Sequence, residues 1–84
     1  MSITGGQIRA ARGFLQWTAA QLAEHSKVGL STVRRAEDAA GPPPLTAANL
    51  DAIRRALEAG GVEFIPENGG GAGVRLKMKG SGSR

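Results

Sequence analysis

No cysteine occurs in the chain, so neither a disulfide nor a thiolate metal site can reinforce its fold. The single histidine, His25, cannot build a histidine-based zinc site and reads as a surface residue of the second helix. Long apolar runs are also missing. Nothing of signal-peptide or membrane-span length is present, which predicts a cytoplasmic protein without membrane contacts. There is no nucleophile and base pair and no acidic cluster for a metal. The glycine-rich run GGGAG at 69–73 lacks the following lysine and helix of a phosphate cradle. An enzyme is therefore not expected, nor is a cofactor.

What the chain does have is 84 residues, enough for one domain and too few for a second core. Lysine and arginine outnumber aspartate and glutamate by 11 to 7, giving a net charge of +4, a balance that favours a polyanionic partner.

One pattern recurs along the chain: an apolar residue, a capping residue, then an apolar residue four positions after the cap. Ile3-Thr4 with Ile8, Trp17-Thr18 with Leu22, Val28-Gly29 with Val33, and Leu45-Thr46 with Leu50 mark four helix starts. Thr4 to Gln7 and Thr18 to Gln21 carry the full capping box. The first helix is predicted from Gly5 to Phe14, with Ile8, Ala11 and Leu15 inward and Gly13 weakening its end. The stretch from Thr18 to Glu37 reads as two short helices joined by a tight turn, a helix-turn-helix. Ala23 is small where the helices cross, and Val28, Val33 and Ala36 give the second of them an inward face. Lys27 stands at the turn position usually filled by a left-handed glycine, at a cost of about 1 kcal/mol. The helix should end near Glu37 or Asp38, before the prolines of AAGPPPL. A fourth helix, Ala47 to about Ala59, places Leu50, Ile53, Ala56 and Leu57 on one stripe, and Gly60-Gly61 stops it.

Beyond the glycines the period changes to that of a strand, in Val62–Ile65 and again in Val74–Lys77, with Met78 a possible extension. The eight connecting residues set no unique register, which leaves pairing within the chain and pairing with another chain both open. The fold class is mainly α: a compact four-helix, repressor-like helix-turn-helix domain over 1–60, a two-strand β extension over 61–79, and a flexible tail over 80–84.

These residues resemble the phage-repressor-like (XRE-type) helix-turn-helix family over Ile3 to about Gly60. The likeness rests on Arg12, Leu15, Trp17-Thr18, Leu22-Ala23, Val28, Ser31-Thr32-Val33, Arg35, Glu37, Asn49-Leu50, Ile53 and Ala56-Leu57. The resemblance implies a dimeric, sequence-specific regulator that binds double-stranded DNA with its third helix in the major groove. It also implies an ion pair between Arg12 and Glu37 that positions helices. Two departures weaken the expected phosphate contacts: Ala19 replaces a glutamine common in the family, and AAGPPPL carries no basic residue.

On the third helix the outward arc holds Leu30, Ser31, Arg34 and Arg35. An arginine can bond guanine O6 and N7 with two N–H groups, serine can serve a base or a phosphate, and leucine can pack on a thymine methyl. These four are the expected base readers. Thr18, Ala19 and Ala20 at the start of the second helix, with Lys27 and Thr32, are the expected phosphate contacts. Arg54 and Arg55 on helix four read mainly as a solvated pair. The apolar face of Val62, Phe64, Val74 and Leu76 is expected to make a homodimer by strand pairing. The competing reading, of a different class, keeps the helix-turn-helix as a scaffold. In that case the C-terminal strands serve an antitoxin-like or adaptor module that meets RNA polymerase or another regulator.

Overall fold

The helix starts coincide with the four cap positions. In the computed structural model, which describes residues 3–41, 43–66 and 69–77, the helices are α1 Gly5–Leu15, α2 Ala19–Ser26, α3 Leu30–Asp38 and α4 Ala47–Gly60. Thr4 and Thr18 each accept the N–H of the glutamine three residues on, and each glutamine returns an acceptor to the threonine N–H. Thr46 accepts from Asn49 N–H without a return bond, and Gly29 caps α3 with no side chain at all. Two non-glycine residues end helices in the left-handed conformation: Gln16 with φ 58° and Lys27 with φ 60°. Lys27 thus takes the geometry expected of it. Gln16 does not follow from the glycine expected to end α1, which runs one residue past Phe14. Residues 78–84, with the expected Met78 extension and the tail, lie outside the described residues.

The strands form one antiparallel hairpin, β1 Val62–Ile65 with β2 Gly73–Leu76, in the register Val62 with Leu76, Glu63 with Arg75, Phe64 with Val74 and Ile65 with Gly73. Gly61, at φ 119°, reverses the chain at the end of α4 and lays β1 back over the helices. Strand alternation then sends Val62 and Phe64 inward, where they join Ile8, Leu22, Val33, Ile53 and Leu57 in a single core.

The expected dimerisation face is corrected for two of its four residues. Val62 and Phe64 are 1% and 4% exposed within one chain, so neither waits for a partner to cover it. Val74 is half-buried, and only Leu76, 51% exposed, stands largely in solvent. The helical core is wide enough for β1 and not for the far edge of β2.

Gln7 holds the hairpin to α1. Its side-chain oxygen closes the capping box, while its Nε2 donates to Ile65 O at 3.3 Å and Gly73 O at 3.0 Å, so a buried amide uses every group it has. Gln7→Glu keeps the capping acceptor and loses both donors, leaving a carboxylate against two carbonyls. The expected loss is about 2 kcal/mol, read from urea unfolding. An unchanged midpoint would show that the hairpin is held by its apolar side chains alone.

Candidate nucleic-acid interface

The helices α2 and α3 are joined by Lys27, Val28 and Gly29, and the left-handed Lys27 lets its N–H close on Ala23 O while the chain turns. Leu22, Val28, Val33 and Ala36 anchor the pair in the core. Helical spacing about that anchored side defines the outward side of α3. Ser31 and Arg35 lie near its centre, with Arg34 beside them toward Leu30 and Thr32 on the other flank. Ser31, Arg34 and Arg35 are exposed, whereas Leu30 and Thr32 are half-buried. Thr32 also serves Arg35, whose Nη2 lies 3.4 Å from the threonine Oγ1. Asp38, seven positions after Ser31, falls on the same exposed stripe. It is not among the residues expected on this face, although its helical spacing from Ser31 and Arg35 is a signal that marks it as part of it.

At the start of α2, the Thr18 hydroxyl is already an acceptor for Gln21 N–H, and Thr18 N–H is bonded to Gln21 Oε1. What this end offers an anion is therefore the N–H groups of Ala19 and Ala20, at the positive end of the helix dipole. Ala20 is exposed and Ala19 half-buried.

The ion pair joining Arg12 and Glu37 is present and reaches further than a pair. Arg12 Nε lies 2.7 Å and Nη2 3.0 Å from the two Glu37 carboxylate oxygens, while Nη1 donates to Trp17 O at 2.9 Å. One guanidinium thus ties the end of α3 to the residue before the cap of α2. Arg9 adds a donor to Glu37 O. His25 is exposed, as expected, but its ring stacks on Trp17 with centroids 4.1 Å apart.

The remaining basic side chains among the described residues separate into two groups. Arg54 bonds Asp51 and Glu58, Arg55 bonds Asp51, and Arg75 bonds Glu63. The Arg54 hydrogen bond holds the Asp51 carboxyl below its ordinary range, and Arg75 does the same for Glu63. Lys27, Arg34, Arg35 and Lys77 have no such partner among the described residues, and all four are exposed; the first three cluster at the turn and on α3, and Lys77 follows β2. The pairing of Arg54 and Arg55 leaves them little free charge for a phosphate.

Compared with known protein families, the chain matches none, and no curated protein is significantly similar to it. Geometry and charge therefore carry the functional reading. No helix among the described residues is long and apolar enough to cross a membrane. No group of three or more metal-binding side chains occurs among them either.

Proposed function

We propose that the chain is a sequence-specific regulator that binds double-stranded DNA as a homodimer, with α3 in the major groove. The observation that carries this reading is the cluster of three exposed cations at the turn and on α3, Lys27, Arg34 and Arg35, that have no carboxylate partner among the described residues, whereas Arg54 and Arg55 on α4 and Arg75 on β2 are matched to carboxylates. Arg34 and Arg35 read guanine through O6 and N7, Ser31 bonds a neighbouring base, and the part of Leu30 left open packs on a thymine methyl. Lys27, the Ala19 and Ala20 N–H groups and the Thr32 hydroxyl meet phosphates and set the register. Arg12 and Glu37 hold α3 at a fixed angle to α2 without touching DNA.

The small number of phosphate contacts makes one domain a weak binder, and a homodimer on a palindromic site offsets this by linking two modules. Titration of a random duplex at several salt concentrations checks the class of ligand. Affinity should fall with a log–log slope of about −2 to −4, from a few neutralised phosphates. Absence of salt-sensitive binding even at low ionic strength would transfer the function to the adaptor reading.

A further inference from the structure

We infer that two copies of this chain join through the outer edge of β2, with Phe14 and Leu76 as the apolar centre of the contact. Phe14 and Leu76 are the two large hydrophobic side chains most open to solvent among the described residues, 47% and 51% exposed. They are distant in sequence and lie at one end of the same seam. Gln7 touches Gly73 at the start of β2. Phe14, seven residues on, falls on the same stripe of α1 about 10 Å further along it. Leu76 is three residues past Gly73, also about 10 Å along its strand. The two elements run in the same sense, because Lys77 N–H donates to Gly61 O and the adjacent Gly60 packs on Leu15 beside Phe14.

The backbone completes the surface. Hydrogen-bonded pairs alternate in an antiparallel ladder, and with Lys77 bonded to Gly61 the pairs facing β1 are those of Arg75 and Gly73. The N–H and C=O groups of Val74 and Leu76 therefore point away from β1 as an open edge.

A second copy fits this edge better than other occupants. A two-fold axis at Arg75 pairs Val74 with the partner's Leu76, and Leu76 with the partner's Val74. Both outward residues of the strand are then satisfied, and apolar side chains meet on the inner face. On the outer face the axis sets Arg75 opposite the partner's Arg75, and the bond of each to its own Glu63 at 2.9 Å offsets the repulsion, so that the row of four side chains has no net charge. Lys27, Arg34 and Arg35 belong to the turn and α3, which packs on α1 and α2, whereas the hairpin packs on α1 and α4 and carries one exposed cation without a carboxylate partner, Lys77, which this register sets opposite the partner's Gly73.

This inference concerns the dimer of the proposed function and is tested without DNA, so the two can fail separately. Sedimentation equilibrium of the full chain should give a dimer, and Leu76→Arg should weaken its dissociation constant by about 30-fold or more. Phe14→Lys should act likewise. Both substitutions replace exposed side chains, and the helical circular dichroism should be retained. A double Arg34→Ala, Arg35→Ala variant should remain a dimer. A wild-type chain monomeric up to its solubility limit would overturn the inference, as would a dimer unaffected by a folded Leu76→Arg or Phe14→Lys variant.

Discussion

Glu37→Ala is expected to cost about 3 kcal/mol of stability, because it strands a largely buried guanidinium that the carboxylate holds through two bonds. The Glu37 side chain is 8% exposed and that of Arg12 27%, so water reaches Arg12 only in part and hydration relieves only part of the cost. For a domain of this size the loss corresponds to a fall in Tm of about 15 °C. Arg12 would keep its bond to Trp17 O, leaving α2 anchored while the end of α3 loosens. A double-mutant cycle on Arg12 and Glu37, followed by thermal unfolding, isolates the pair. Coupling of about 1 to 3 kcal/mol is expected, and additive losses would show that the two side chains act through separate neighbours.

The second large effect falls on a glycine. Gly5 opens α1 against the end of α3, where its N–H donates to Gly41 O at 3.2 Å. A methyl group placed on it would come within 3.0 Å of the carbonyl oxygens of Ala36, Glu37 and Ala39. These are backbone atoms, so Gly5→Ala must push α1 away from α3, at an expected cost of about 3 kcal/mol. The neighbouring Gly6 provides the control. A methyl group there meets only the Arg9 and Thr4 side chains, at 3.8 Å, and Gly6→Ala should gain about 0.5 to 1 kcal/mol from helix propensity. Chemical denaturation of the two variants should therefore give opposite signs. A stabilised Gly5→Ala protein would mean that the α1 and α3 ends separate freely.

These two residues also show where the sequence is readable. Thr4 and Gln7, Thr18 and Gln21, and the strained Lys27 can be placed because each is fixed by neighbours within about a turn of helix. Glu37 can be paired with Arg12 only through the family resemblance, and the bond from Arg12 to Trp17 O has no local signature. Gly5 looks like an ordinary first-turn residue, since the carbonyls that crowd it come from Ala36 to Ala39. Gln7 is legible as half of a capping box and not as the tether of a hairpin that lies at 62–76. For Val62 and Phe64 the sequence identifies the apolar side of a strand and leaves open whether the chain's own helices or a second chain covers it; the helices do. Alternation gives the face of a strand but not what packs on it, which the turn at Gly61 decides. On α3, the outward arc of Ser31, Arg34 and Arg35 follows from period alone. The partial burial of Leu30 and Thr32 depends on neighbouring elements.

The central claim is that α3 reads base sequence through Arg34 and Arg35, and selecting bound duplexes from a random pool tests it most directly. The wild-type chain should enrich a palindrome whose half-sites contain guanine. Arg34→Ala and Arg35→Ala should each relax the preference at a base position, at a cost of about 1 to 3 kcal/mol for each arginine–guanine interaction removed, while remaining folded. Enrichment of no sequence by the wild-type chain, or an identical selected motif from both variants, would contradict the account.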